Sequence, residues 1–432
     1  MIEEKVAPQK KYKIITVSDF PISPSGVGKQ TKFIIEHLLK TGMFSVISVG
    51  VAMNVKGSQP GYVSEYGKDW MIVPHNRYDD MSLWRQIVDV EKPDLIWTMT
   101  DPRFYEEYFR YADEFRDICP VVVNSIWDNF PTPKFNKSRY DCFDFIGCIN
   151  KVMFNIAKDL DLKNFRYIPH GVPKDIFTLY SADETSTLKS KHLGADKKDA
   201  FVLFYNSRNA LRKRTGNCIM AFKEFLEGLP EDERKNVFFA ANSPPHDPEG
   251  QDLYRLIDDF GLRGKIGISE GGRQTDEQIS EYYRLADLTI IQSSEEGFGL
   301  SCLESLYTGC PVLSGRTGGL TDQMVDEELG RTWGILMEPD ATTLLGSQTV
   351  PYIYSHHFNY SKTATHIRTL YEDWKSDKVG YKERWAGKEA RESCLRRFNL
   401  EEVCRTWENV IVDEIEKFKA RKENKEIKVI EV

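Results

Sequence analysis

What most constrains this chain is a pattern that runs, stops and starts again. Segments 13–20 (KIITVSDF), 44–51 (FSVISVGV), 94–100 (DLIWTMT), 120–127 (PVVVNSIW) and 145–150 (FIGCIN) are short, apolar and rich in β-branched residues. Amphipathic stretches such as 29–42 (KQTKFIIEHLLKTG) lie between them. Strand runs alternating with helical periodicity make βαβ units, and such units stack into a parallel sheet. The pattern ends at 168–177 (IPHGVPKDIF), where Pro169, Gly171 and Pro173 cluster as in an interdomain linker. It resumes with strand segments 201–207, 236–242, 265–269, 288–294 and 311–315, with helical stretches at 217–229 and 276–286 among them. The expected fold class is therefore α/β, with two Rossmann-like domains, 1–172 and 173–401, facing across a cleft. Further on, Leu400, Val403, Trp407, Val410, Ile411 and Ile415 share one helical stripe. A helix over 402–420 is expected to pack back on the first domain, leaving 421–432 as a frayed, charged tail.

The segment with the most chemistry is 293–313, SSEEGFGLSCLESLYTGCPVL, which reads as loop, helix, turn and strand. Gly297 and Gly299 allow the backbone close to a ligand. The helix beginning near Leu300 would aim its free N–H groups into the cleft, where they suit a phosphate. Glu304 falls on the first turns of that helix, in reach of ribose hydroxyls, and Glu296 falls at the strand end, in reach of sugar hydroxyls. The competing explanation is that two acids near a helix start merely complement its dipole. It does not account for the flanking GFG and GCPV.

In this string the chain resembles glycosyltransferase family 4 of the GT-B fold, whose signature is two glutamates eight positions apart around a G-F-G-L core. The resemblance is best over 200–325. It implies that Glu296 contacts donor-sugar hydroxyls, that Glu304 contacts the ribose, and that the backbone N–H groups of Phe298, Gly299 and Leu300 hold sugar or phosphate. It also gives meaning to 206–216, NSRNALRKRTG: Arg208 and Lys213 match the Arg and Lys that clamp the donor diphosphate. A departing nucleoside diphosphate gains negative charge as the glycosidic bond breaks, and fixed cations at that point lower the barrier. Arg212 and Arg214 are further positive charges nearby.

A third element, 23–31 (SPSGVGKQT), superficially resembles a phosphate-binding loop of the Walker A kind, but Ser23 and Gln30 stand where that motif needs Gly and Ser/Thr. The family resemblance makes Gly26, Val27 and Gly28 a loop over the donor phosphates and acceptor; a tight strand-to-helix turn is the alternative. Many family members carry a histidine near 124–136, whereas this chain has Trp127, Asp128 and Asn129. Asp128 is a candidate to position or deprotonate the acceptor hydroxyl, and Trp127 to offer a stacking face; a buried Trp and a turn-forming Asp-Asn are the alternative. His170 suits a hinge better than a catalyst. Arg273 matches a loop lying against the donor's base.

Together these imply a hexosyl- or pentosyltransferase that uses a nucleoside-diphosphate sugar, expected to be UDP-linked, and retains its anomeric configuration. No metal is expected, because Arg and Lys meet the diphosphate charge. The acceptor is open between a glycan, a small molecule and modified DNA. Residues 101–136 loosely resemble transferases of large DNA phages, which raises hydroxymethylcytosine, and Lys134, Lys137 and Arg139 form a small basic loop that DNA could meet. Other classes are a nucleotide-sugar epimerase and an inactive nucleotide-sugar binder. The net charge of -8 argues against nucleic acid as a default partner. Residues 1–172 carry equal numbers of acidic and basic side chains, so the acidic excess lies in 173–432. The eight cysteines include no C-x-x-C pair. With no evident signal peptide or membrane span, free thiols and a cytoplasmic setting are expected, the host's cytoplasm for a phage protein.

Overall fold

The computed structural model describes residues 11–52, 59–269 and 274–430, with backbone alone over 425–430. The first sheet contains β1 (Tyr12–Asp19), β2 (Phe44–Val51), β3 (Gly61–Tyr62), β4 (Trp70–Pro74), β5 (Leu95–Thr100), β6 (Val121–Ser125), β7 (Phe145–Cys148) and β8 (Phe165–Tyr167). Their order is β3-β4-β2-β1-β5-β6-β7-β8, parallel except at the β3–β4 edge. The second sheet begins with β9 (Phe201–Asn206), β10 (Val237–Asn242), β11 (Ile266–Ile268), β12 (Leu288–Ile291) and β13 (Val312–Gly315). After a short hairpin of β14 (Val325–Asp326) and β15 (Arg331–Thr332), β16 (Gly334–Met337) completes it in the order β11-β10-β9-β12-β13-β16, all parallel. Central strands such as β5 and β6 are buried at every residue. This is what helices on both faces require, and it is why their sequences run apolar without alternation.

Both sheets are doubly wound. Strand order reverses between β1 and β5 in the first and between β9 and β12 in the second. The carboxyl ends of strands at such a reversal open a crevice that neighbouring loops cannot fill. The two crevices face each other, and their loops line one cavity of about 1020 Å³.

The chain crosses between the domains twice, side by side. Outbound, Val172 makes a parallel bridge with Asn399. A side chain on Gly171 would come within 2.6 Å of Leu400 Cα, so only glycine fits at this crossing. On the return, the helix Gly387–Arg397 packs in the second domain's core, and the helix Leu400–Ile430 follows on the first domain. The expected stripe makes that contact: Val403, Trp407, Val410, Ile411 and Ile415 join the core beneath β1, β2 and β5. Trp407 lies so close over Gly147 that a Cβ there would sit 2.4 Å from the indole. One expectation is corrected: the helix does not stop at 420 but continues to Ile430, so 421–430 is helical backbone rather than a frayed tail.

A second link between the domains went unforeseen. β17 (Ala341–Leu345) and β18 (Ile353–His357) form an antiparallel hairpin that leaves the second domain and straps onto the first. Val350, at its turn, is buried in the first domain's core. Tyr354 N donates to Phe130 O (2.6 Å), Asn129 Nδ2 donates to Tyr354 O (3.0 Å), and Lys134 N donates to Tyr352 Oη (3.0 Å). At the other end, His356 N donates to Ser294 O, just before the two-glutamate segment (3.1 Å).

Candidate active site

The loop after β1 enters the first helix, Gly26–Lys40, with Ser25 as its N-cap. Ser25 Oγ accepts from Gly28 N (2.9 Å) and donates to Asp19 at the end of β1 (2.6 Å), while Tyr78 Oη donates to the other Asp19 oxygen (2.6 Å). Gly26 and Val27 line the cavity, and a Cβ on Gly26 would stand 3.0 Å from Leu300 across the cleft. Gly28, expected with them as a ligand-facing glycine, does not line it. Its Cβ would fall 2.4 Å from Ser23 Oγ and 2.6 Å from Phe20 O, so its role is to let the turn close. One turn on, Lys29 lines the cavity and forms an ion pair with Asp276 of the second domain.

The opposite wall is built from the ends of β9, β10, β11 and β12. After β9, a short turn (Leu211–Lys213) carries Arg212 and Lys213 inward. Arg214 follows in left-handed backbone (φ 53°) and ties the turn to the next loop through Ser294 Oγ (2.6 Å). After β12, residues 292–299 lead into the helix Leu300–Tyr307. Gly299 adopts φ 87°, and a Cβ there would meet Leu320 at 2.4 Å. Gly297 through Ser301 line the cavity, so the helix N-terminus opens on it. This is the partial positive charge an anion would meet.

Glu296 is buried in a closed set of partners. Lys213 pairs with it, Ser293 Oγ donates to it (3.0 Å), and Arg212 stands 3.9 Å away. Burial works to raise its carboxyl, but Lys213, Arg212 and the Ser293 hydroxyl outweigh burial and hold it below the ordinary range. Lys213 moves down as well, since burial and Arg212 act against its charge more than Glu296 supports it. Glu304 is the opposite case. Burial pushes its carboxyl up against the pull of Lys29 and the hydroxyl of Tyr283. Tyr283 Oη donates to it (2.8 Å), Asn206 Nδ2 also donates (3.3 Å), and a polar file continues through Asn242 to Ser269. These partners leave Glu304 the one acid on this wall with no cation in salt-bridge contact among the described residues.

Asp128 lines the cavity at the end of the first domain's β6 loop, where Gly297 passes so close that a Cβ would be 2.7 Å from Asp128 Oδ1. Arg212 reaches it across the cleft at 3.8 Å. Trp127 offers no stacking face: it is buried in the first domain, donating from Nε1 to Asn129 O (2.7 Å). His170 is buried at the crossing and borders the cavity, its ring edge-on to Phe298 at 4.9 Å. Burial pushes its imidazole down to about 3, so it is neutral near pH 7. Arg273 lies outside the described residues. The basic loop does not line the cavity, and two of its charges are engaged, Lys137 with Asp141 (2.9 Å) and Arg139 with Glu106. Among the described residues, no group of three or more His, Cys, Asp or Glu is placed to hold a metal ion.

Sequence reasoning passed over Arg212 as a bridge between Asp128 and Glu296, Lys29 as the first domain's cation on the cavity, and Tyr283 with Asn206 as the setting of Glu304. Arg212 and Lys29 stood inside motifs already singled out. Tyr283 sits in a helix whose pattern reads only as core.

Fold and site together define a class: two doubly wound domains of the GT-B fold, with a helix N-terminus and two glutamates, Glu296 and Glu304, lining the cleft between them. More particularly, residues 185–344 match the family of glycosyl transferases group 1. Similar curated proteins include a D-inositol 3-phosphate glycosyltransferase of Acidothermus cellulolyticus, 30% identical over 167 residues, which are 38% of this chain and 36% of that protein. Another, from Xylanimonas cellulosilytica, is 29% identical over 39% of each chain. The chain thus spans little more than a third of the curated relatives it matches. Similarity in fold reaches further. A sucrose-phosphate synthase from Thermosynechococcus elongatus superposes with a TM-score of 0.69 at 15% identity, covering 93% of this chain and 99% of the other. The Anabaena protein HepE, solved with UDP and glucose, gives 0.64 at 13% identity, covering 93% and 100%.

Proposed function

We propose that this protein is a retaining glycosyltransferase that moves a sugar from a nucleoside-diphosphate sugar to an acceptor hydroxyl and needs no metal. The observation that carries the reading is the composition of one cavity wall. A helix N-terminus, Lys213, Arg212 and Arg208 line it together, with Glu304 set among hydrogen-bond donors at one side and Glu296 at the other. Glu304 accepts the ribose hydroxyls, the cations and helix end take the diphosphate, and Glu296 orients the sugar. As the bond to the anomeric carbon breaks, charge grows on the diphosphate oxygens, and cations already in place stabilise it without reorganisation. That supply of positive charge supports a reaction without a divalent ion. UDP is the expected nucleotide, which HepE binds on a similar fold.

What supports retention is the chemistry of the first-domain side of the cavity. Asp128 is the acid on that side, and Arg212 stands beside it, which suits positioning of the acceptor rather than removal of its proton. Glu296 is held ionised by Lys213 and Arg212, as fits an orienting group. The acceptor's proton then passes to the departing diphosphate oxygen as the new bond forms on the same face. Nothing in the site favours DNA as acceptor over a glycan or small molecule. The cysteines are all free, which suits a reducing, cytoplasmic setting. The test is incubation with UDP-hexoses and UDP-pentoses, NMR of any glycoside formed, and mass measurement of candidate acceptors. A product with the donor's anomeric configuration is expected, and an inverted product would overturn the mechanism.

A further inference from the structure

Arg208 does not stand free on the cavity wall. Its Nε and Nη2 donate to the two oxygens of Asp247 (2.8 and 3.1 Å), and its Nη1 lies 3.2 Å from Glu249 Oε2. The two acids differ in kind. Asp247 is 9% exposed, and the guanidinium over it, itself 56% exposed, holds its carboxyl below the usual range. Glu249 is 66% exposed, and its carboxylate makes one ion pair, with Arg208.

The loop that carries both acids is fixed to the loop that carries Arg208. Leu211 N donates to Glu249 O (2.9 Å), Asn209 Nδ2 donates to Gln251 O (2.6 Å), Gln251 N donates to Asn209 Oδ1 (3.2 Å), and Gly216 N donates to Gln251 Oε1 (2.9 Å). Gly250 lies so close to Asn209 that a Cβ would be 1.8 Å from its carbonyl oxygen. Asp247 is locked within the loop by Glu249 N, which donates to its side chain (2.9 Å), and by Gly250 N, which donates to its carbonyl (2.9 Å).

An arginine held by one edge on a carboxylate that its own loop fixes in place keeps its other edge for a second anion, in a fixed plane. Resting on the donor reading above, we infer that Asp247 is a positioning residue that orients Arg208 toward the donor diphosphate, and that Glu249 is an internal carboxylate occupying the other edge of Arg208 until the diphosphate displaces it. The two acids therefore act on donor binding with opposite signs. Loss of Asp247 frees Arg208 to wander, while loss of Glu249's charge removes a competitor.

Calorimetric titration with UDP separates these roles. Asp247→Asn is expected to weaken UDP binding about tenfold, the scale of one charged hydrogen-bond partner, and Glu249→Gln to strengthen it about twofold to threefold, as for an exposed pair. In an Arg208→Ala background both effects should vanish, which a general folding defect would not do. If Asp247→Asn and Glu249→Gln shift affinity in the same direction, or if Asp247→Asn weakens binding equally with and without Arg208, the proposal is overturned. Should Asp247→Asn fail to fold, Glu249→Gln in the two backgrounds carries the test alone. Absence of UDP binding to the wild-type chain would overturn the donor reading itself, a different outcome from wild-type binding that the variants leave unchanged.

Discussion

On the second-domain wall of the cavity, the charged groups hold one another. Lys213 is clasped to Glu296 and Arg208 to Asp247, Arg214 is tied to the Ser294 hydroxyl, and Gly297 and Gly299 stand where a Cβ would meet the side chains of Asp128 and Leu320. On the first-domain wall the functional groups are few and reach across the cleft: Asp128 faces Arg212, and Lys29 faces Asp276. The second wall is therefore organised before any ligand arrives, whereas the first gains its arrangement from the domain opposite. A group aligned in advance contributes most where charge develops in the reaction, and a group recruited across a cleft contributes to closure and acceptor choice.

Removing the organised side should do more harm than removing the recruited side. Lys213→Ala or Arg208→Ala is expected to lower turnover by roughly 100-fold to 1,000-fold, the usual scale for loss of one preorganised charge-stabilising donor. Asp128→Asn should lower it much less. Steady-state rates at saturating donor decide this, alongside thermal melts, because Lys213→Ala leaves Glu296 buried without its main partner. Equal losses on both walls would break the comparison.

A smaller effect follows from Glu304. Its carboxyl is pushed above the usual value of 4.5 by burial. In the proposed role ribose hydroxyls donate to it, so the ionised form is the one expected to bind. Donor affinity should hold at neutral pH and fall as pH drops through the raised value, at a pH higher than an ordinary glutamate would show. In Glu304→Gln the affinity should be low and flat across that range. A wild-type profile as flat as that of the variant would remove Glu304 from the ribose role. The smallest expected change is none: turnover should survive a strong chelator. Loss in EDTA restored by magnesium or manganese would show that the wall's own cations do not suffice.

The same contrast explains what was legible in the sequence. The central strands and the elements of the second wall are contiguous strings in which strand, loop and helix follow one another, so 206–216 and 293–313 carried both their fold and their chemistry. Strands at or next to a sheet edge left a weaker trace. β8 is three residues with an exposed arginine at its centre, and β4 (WMIVP) and β16 (GILM) are apolar but only five and four residues long and partly buried. The hairpin of β17 and β18 was invisible because its outer strand is fully exposed and its purchase on the first domain comes from a few residues at and after the turn, Val350, Tyr352 and Ile353, and from backbone groups. Trp127 read as a possible surface and Gly28 as a ligand-facing residue because a sequence does not show which side of a loop faces the cleft. Contacts that join distant segments exist only in the folded chain: Arg212 to Asp128 needs both domains, and Tyr283 to Glu304 needs the second domain's two helices packed side by side.

The central claim is that the nucleotide is held by the second-domain wall, with Glu304 on its ribose. Calorimetric titration of UDP into the wild-type chain, Glu304→Ala and Asp128→Asn tests it directly. Loss of a charged hydrogen-bond acceptor costs about 1.5–3 kcal/mol, so Glu304→Ala should bind UDP roughly 10-fold to 100-fold more weakly, while Asp128→Asn binds as the wild type does. Unchanged affinity in Glu304→Ala, or a loss in Asp128→Asn as large as that in Glu304→Ala, would contradict the account.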